Sequence, residues 1–236
     1  MEKIVKLITD NIAKIESMIM TDSGHSKSGD VNAYPTFKRN GKMDYFGSSA
    51  YWMTKLKFAI EQKEKSELRN IIKHAVIAVD KENSTHINSD GVGRELLTDR
   101  IMKRAEFLKE TLGNIESWLK FIEELVAITS CVDNKHKART NLSFASEFAH
   151  YACFYLFYED DKRRDNYSIY DNVLNKTLPI YIKKYNLSRY DYSSYSSYYN
   201  CIGEIIKSSG EPLSRNGFDH LLWYYYKARL STLKNK

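Results

Sequence analysis

Residues 141–151 read NLSFASEFAHY and predict the helix that decides the fold. Asn141 or Ser143 can cap the start of this helix, because both side chains accept hydrogen bonds from free backbone N–H groups. Small residues at positions 145, 146 and 149 leave its first turns narrow enough for close approach by another helix or by a phosphate backbone. The large side chains share one face, which we expect to pack inward: Phe144, Phe148, Tyr151 and Tyr155.

Most of the rest of the chain also has helical periodicity, and no part shows sustained alternation of apolar and polar residues, so the fold class is mainly α. Residues 21–49 lack this periodicity and predict a long loop, with a short hairpin around residues 39–42. Residues 94–130 predict two helices joined near Gly113. The remaining predicted helices span residues 2–20, 51–60, 68–79, 143–158, 195–208 and 218–233, with one more starting near residue 169.

Length and composition predict a folded protein of the cytoplasm. A chain of 236 residues with 42% hydrophobic content can bury a sizeable core. No run of eighteen apolar residues exists, which argues against a membrane span, and the amphipathic N-terminus is unlike a signal peptide. The three cysteines have no metal-binding or redox spacing, so we expect reduced core residues: Cys131, Cys153 and Cys201.

The positive charge is concentrated at the C-terminal end. Residues 176–236 hold 10 Lys and Arg against 4 Asp and Glu, which equals the whole surplus of +6. The same region holds a tyrosine cluster at residues 190–199. Phosphates attract cations and bases stack on aromatic rings, so this region suits a nucleic acid, with Arg189 as one contact. The alternatives are a solvated basic surface and tyrosine rings that pack in the core.

A basic turn precedes the helix of residues 141–151. Its cations and the backbone N–H groups of the helix start would converge on one phosphate group. The sequence therefore predicts a phosphate-binding element, and an ordinary loop before a capped core helix is the alternative. Its candidate nucleic-acid-binding residues are Lys135, Lys137, Arg139, Asn141 and Ser143.

Three segments in order carry a resemblance to the helix-hairpin-helix DNA glycosylase superfamily, in particular its 8-oxoguanine glycosylase-like bacterial branch. SFASE at residues 143–147 is similar to the SFASK of that branch, SIYDN at 168–172 to PIYDS, and FDHLLW at 218–223 to a closing D-x-x-L-W helix. The resemblance covers about residues 135–225. It implies a helical fold of two lobes, divided here into an N-terminal region of residues 1–130 and a glycosylase-like module of residues 131–236. It also implies a DNA partner, and because the sequence has no metal-binding spacing and no nucleotide-binding motif, we expect no cofactor and no metal.

Glu147 stands where bifunctional members of that family carry a lysine. A carboxylate cannot form a Schiff base with the sugar, so lyase chemistry is excluded at this position. The resemblance then implies a monofunctional DNA N-glycosylase in which Asp171 stabilises positive charge at C1′ or activates water. The alternative is a nucleic-acid-binding or antiphage-defence protein that keeps this fold without the chemistry. A helical interaction protein that binds no nucleic acid is the third reading.

Two of these residues also have purely structural readings. Asp171 near a helix start can act as a cap, whether or not it catalyses anything. Glu147 can face solvent, or it can contact Arg139 or Lys137. The six histidines have no spacing that would build a metal site.

Overall fold

The computed structural model describes residues 37–39, 42–44, 48–62, 65–83, 87, 92–105, 108–130, 141–157, 160–164, 166–188 and 194–226. The described chain is mainly helical, as the sequence predicts. None of its helices combines the length and the apolar character needed to cross a membrane. The predicted helix at residues 2–20 and Cys131 lie outside the described residues.

Two short strands come first, β1 at Phe37–Arg39 and β2 at Lys42–Asp44. They pair antiparallel, with Arg39 opposite Lys42, which confirms the hairpin predicted there. The helices that follow are α1 Ser48–Gln62, α2 Lys65–Asn83, α3 Val92–Arg104, α4 Leu108–Gly113, α5 Ile115–Ser130, α6 Leu142–Leu156, α7 Asp161–Arg164, α8 Asn172–Lys184, α9 Tyr195–Ser209 and α10 Arg215–Tyr226.

The described chain forms two compact units, one ending at Arg164 and the other beginning at Asn166. We call them the N-terminal unit and the C-terminal unit. The sequence-based division was placed after residue 130, so helix α6 had been assigned to the C-terminal module. In the structure α6 is part of the N-terminal unit.

Helix α6 is the centre of the N-terminal unit. It packs against α1, α2, α4, α5 and α7, and every residue from Phe144 to Leu156 is buried. Its small side chains on several sides, at Ala145, Ser146, Ala149 and Ala152, allow neighbouring helices to approach closely. The helix therefore has no solvent-facing stripe beyond its first residues.

A buried ion pair joins α2 to α3 in the same unit. The Asp80 carboxylate accepts a hydrogen bond from the Ile87 backbone N–H at 2.9 Å and pairs with the Arg94 guanidinium, whose Nε lies 2.9 Å away. Because a buried carboxylate without partners would be costly, Arg94 and Ile87 allow Asp80 to lie in the core. Ile87, which lies between the two helices in sequence, is thereby held against α2.

The C-terminal unit is built from α8, α9 and α10, which contact one another pairwise. Helix α9 ends at Gly210 in the left-handed conformation, with φ of 72°, a common end for a helix because glycine has no Cβ. Large buried side chains from all three helices form the core, including Leu178, Tyr181, Tyr195, Tyr198, Ile202, Phe218 and Leu222.

Candidate functional site

An extended segment of residues 166–171 crosses the C-terminal unit just before α8. We call it the 166–171 segment. The sequence predicted a helix starting near residue 169, but α8 begins at Asn172. Side chains from α9 and α10 occupy the backbone groups of the segment, so these groups cannot form helical hydrogen bonds there. Asp171, the predicted catalytic residue, is its last residue.

Two tyrosines of α9 bind the middle of the segment. The Tyr195 hydroxyl donates to the Ser168 carbonyl at 2.7 Å and accepts from the Ser168 N–H at 3.3 Å. The Tyr198 hydroxyl donates to the Ile169 carbonyl at 2.7 Å. Burial raises the pKa of both tyrosines well above its ordinary value, so both hydroxyls remain protonated donors. Both rings pack in the core, which is the alternative to base stacking that the sequence left open for the tyrosine cluster.

Arg215, the first residue of α10, fixes the beginning of the segment. Its guanidinium lies 3.7 Å from the centre of the Tyr199 ring, and its Nη1 donates to Asn166 Oδ1 at 2.8 Å. The Tyr199 hydroxyl donates to the same Asn166 oxygen at 2.9 Å. Gly203 makes room for this arrangement, because a Cβ there would lie 2.5 Å from Arg215 Nη2. The guanidinium is therefore held in one position by stacking and hydrogen bonds together.

The last residue of the segment, Asp171, interacts electrostatically with Asp219 of α10. The two carboxyl groups have different surroundings. Asp171 is the N-cap of α8, and its Oδ1 accepts the Leu174 N–H at 2.7 Å, which confirms the capping reading. Asp219 lies on α10, is 4% exposed, and accepts the Ile169 N–H at 2.6 Å. Burial raises the pKa of Asp219 well above its ordinary value, and the charge of Asp171 raises it further. The Ile169 hydrogen bond opposes this shift.

These surroundings give the two carboxyl groups different chemical roles. Asp219 favours its protonated form, because an ionised group at this depth would be poorly solvated. Asp171 is half-buried, and its Oδ1 accepts the capping hydrogen bond. A carboxylate in this position can stabilise a nearby positive charge while it caps the helix. Capping and catalysis are therefore compatible at Asp171.

The outer face of α8 is basic. Residues 172–188 include three lysines and no acidic residue. Residues on this face recur at helical spacing and are exposed, and we call them the α8 face: Asn172, Asn175, Lys176, Pro179, Ile180 and Lys183. The opposite side of the helix carries Leu174, Leu178 and Tyr181 into the core. The core contacts therefore fix the direction in which the lysines project.

Glu147 lies in the N-terminal unit and is 5% exposed, so the solvent-facing alternative is wrong, while the alternative contact with Arg139 or Lys137 involves residues outside the described ranges. Ser143 Oγ donates to Glu147 Oε1 at 3.3 Å across one turn of α6. The burial follows from the helices that surround α6 on several sides. Asn141 occupies the N-cap position of α6, but its side chain makes no capping hydrogen bond.

The other predicted contacts lie outside the described residues, namely Lys135, Lys137, Arg139 and Arg189. Among the predicted site residues that the structure describes, Asn141, Ser143 and Glu147 share the start of α6, and Asp171 belongs to the C-terminal unit. Within the described ranges, no three His, Cys, Asp or Glu side chains group in a way that would hold a metal ion.

Sequence reasoning missed Asp219 and Arg215 as parts of the site around Asp171. The FDHLLW segment contains Asp219, and an acidic residue within an apolar helix repeat was a signal of a buried carboxyl group. No comparable signal marked Arg215, because its partner Asn166 lies 49 residues away in the sequence.

No family model, curated protein or solved structure matches this chain.

Proposed function

We propose that this chain is a DNA-binding protein related to the helix-hairpin-helix DNA glycosylases, and that the α8 face contacts the phosphate backbone. The observation that carries the proposal is the exposure of Lys176 and Lys183 on a helix without acidic residues. They lie seven residues apart, about 10 Å along the helix axis at 1.5 Å per residue. Two cations on one rigid face can contact separate phosphates of one DNA strand.

The amide side chains of the same face support a nucleic-acid partner over a purely solvated surface. Asn172 and Asn175 are exposed beside the lysines, and asparagine can donate and accept hydrogen bonds at phosphates, sugars and base edges. Pro179 and Ile180 add apolar area between the two lysines. A face that served only solubility would need neither the apolar area nor the absence of acidic residues.

The binding proposal is tested by charge reversal on two matched pairs of lysines. Lys176→Glu with Lys183→Glu alters the α8 face, whereas Lys81→Glu with Lys120→Glu alters exposed lysines on α2 and α5. We expect the first pair to weaken binding of a short DNA duplex at low salt by at least about tenfold, and the control pair to weaken it far less. Equal losses from both pairs, or no binding by the unaltered protein, would sink the proposal.

Base excision is the second candidate, and the paired carboxyl groups favour it. Asp171 is half-buried and its cap to Leu174 fixes the position of its carboxyl group, while the buried Asp219 accepts the Ile169 N–H. A carboxylate held by its surroundings can stabilise a developing oxocarbenium ion with little reorganisation. Because Glu147 is no amine, the reaction would be hydrolysis of the glycosidic bond and would leave the DNA strand intact.

Asp171→Asn removes the carboxylate that the reaction would need but keeps the cap of α8, since asparagine is also a good N-cap residue. Duplexes that contain uracil, 8-oxoguanine or a mismatch are incubated with the protein, heated in alkali and examined for strand cleavage. We expect cleavage by the unaltered chain, a loss of at least about 100-fold in Asp171→Asn, and no change in the exposed-carboxylate control Glu204→Gln. If the unaltered chain leaves every duplex intact but binds DNA, the excision candidate is discarded and the binding proposal stands.

A further inference from the structure

An open groove lies between α3 and α5 in the N-terminal unit. Its volume is about 330 Å³, at the lower end of the roughly 300–1,000 Å³ typical of small-molecule sites. The groove lies in a different unit from the α8 face, so nothing about it depends on the proposed function. The residues that carry the argument are Arg100, Lys103 and Arg104 from α3, and Phe121, Glu124 and Leu125 from α5.

The three cations lie on one side of α3, at positions i, i+3 and i+4. Arg104 Nη2 donates to both carboxylate oxygens of Glu124 at 2.8 Å, so the charge of Glu124 is balanced within the groove. Arg100 and Lys103 form no hydrogen bond or ion pair with any part of the chain that the structure describes. Within the described ranges, two cations at the rim of the groove therefore have no anionic partner.

Helix stability accounts for only part of this arrangement. Cations in the last turn of a helix interact favourably with its dipole, which is sufficient reason for Lys103 and Arg104. Arg100 lies one turn earlier and only partly exposed, where the dipole contributes little. Its position beside Lys103 is better explained by an anion that both side chains can contact.

Apart from Glu124, which pairs with Arg104, the side of the groove formed by α5 is apolar. Phe121 and Leu125 are one helical turn apart and almost completely buried beneath the groove. Ala127 is exposed at its edge, and its small side chain leaves the groove open. A site with a cationic rim and an apolar floor matches a ligand that has an anionic end and a flat, less polar body.

We propose that this groove binds a phosphorylated ligand with a planar organic moiety, the chemical class of a nucleoside monophosphate. Arg100 would hold the phosphate through paired N–H donors, and Lys103 would add a point charge to the same group. The planar moiety would lie over Phe121 and Leu125. Such a group occurs both in a free nucleotide and at the 5′-phosphorylated end of a nucleic-acid strand.

Calorimetric titration of the full chain tests the site. The probes are adenosine 5′-monophosphate, adenosine, inorganic phosphate, and one short oligonucleotide with and without a 5′-phosphate. We expect the nucleotide to bind more tightly than adenosine or phosphate alone. Arg100→Ala and Lys103→Ala should each weaken this binding by about tenfold or more, the loss expected for a charge-assisted hydrogen bond. Both positions face solvent in part, so the variants should fold.

Two further variants make the result specific. Ala127→Asp places a negative charge at the exposed edge and should also weaken binding, whereas Lys120→Ala removes an exposed α5 lysine that does not line the groove and should change nothing. Stronger binding of the phosphorylated oligonucleotide than of the nucleotide would assign the site to strand ends. The proposal is overturned if neither phosphorylated probe binds at about 10 mM. It is also overturned if inorganic phosphate binds as tightly as the nucleotide, or if Lys120→Ala matches Arg100→Ala.

Discussion

At the scale of single residues, the titration of Asp219 makes the stability that it gives to the fold depend on pH. Its folded-state pKa lies above the ordinary value of 3.8, so the folded chain holds this proton more tightly than the unfolded chain does. The contribution of Asp219 to stability is therefore complete below pH 3.8 and is lost as the pH rises through the folded-state pKa. The groups that set this pKa include Asp171 and the Ile169 N–H.

Asp219→Asn removes the titration and keeps an oxygen that can accept from the Ile169 N–H. We expect its free energy of unfolding to decrease less with rising pH than that of the unaltered chain, when urea denaturation is repeated from acid to neutral pH. Asp219→Ala removes the acceptor as well, so at acidic pH it should lower stability by about 1–3 kcal/mol, and this loss should shrink as the pH rises. Identical pH profiles for the unaltered chain and Asp219→Asn would show that Asp219 does not titrate as its burial indicates.

Substitutions at Glu147, where the glycosylases of the resemblance carry a lysine, test whether this position is part of the core. Because Glu147 is almost fully buried, Glu147→Lys would place a longer cation among packed side chains. We expect a loss of about 3–5 kcal/mol in the free energy of unfolding. Glu147→Gln keeps the size and the acceptor for Ser143 and should cost much less. Equal thermal stabilities of the two variants would contradict the burial of this side chain.

At the scale of elements, the 166–171 segment depends on hydroxyl groups of α9. Tyr195→Phe and Tyr198→Phe each leave buried backbone groups without their hydroxyl partner. Each should lower the free energy of unfolding by about 1–2 kcal/mol in urea denaturation. Tyr185→Phe, at a half-buried position after α8, is the matched control and should have no measurable effect. If Tyr185→Phe lost as much stability as Tyr195→Phe, the hydrogen bonds from α9 to the 166–171 segment would not explain the loss.

The same elements show how far local sequence determines structure. The helix predicted at residues 143–158 is observed at Leu142–Leu156, because the apolar periodicity that predicts it lies within the helix itself. The start predicted near residue 169 was wrong by three residues, because Tyr195, Tyr198 and Asp219 hold the backbone of the segment from 27 to 50 positions away. Gly113 was a correct boundary, but a further break separates α3 from α4.

The site was less predictable than the helices. Capping by Asp171 was readable from its place at a helix start, whereas its neighbour Asp219 comes from another helix. The burial of Glu147 depends on several helices that pack around α6, and the helical pattern of α6 contains no information about their positions. Local pattern therefore identified the cap at Asp171, while the burial of α6 on all sides and the grouping of side chains from distant helices require the tertiary structure.

At the scale of the whole molecule, the uneven charge makes a prediction about salt. All of the surplus of +6 falls in residues 176–236, and Lys176 and Lys183 are exposed within that region. Each phosphate contact by a cation releases a condensed counterion from DNA, so the logarithm of the binding constant falls linearly with the logarithm of salt concentration. The slope measures how many contacts form.

Lys176→Ala with Lys183→Ala should reduce the magnitude of that slope by about 2, since each contact contributes about 0.9. Lys81→Ala with Lys120→Ala removes the same charge from the N-terminal unit and should leave the slope unchanged, because these lysines would not contact phosphate. The slopes are obtained from fluorescence anisotropy titrations of one duplex at several salt concentrations. An equal change from both pairs would mean that net charge, rather than the α8 face, attracts the DNA.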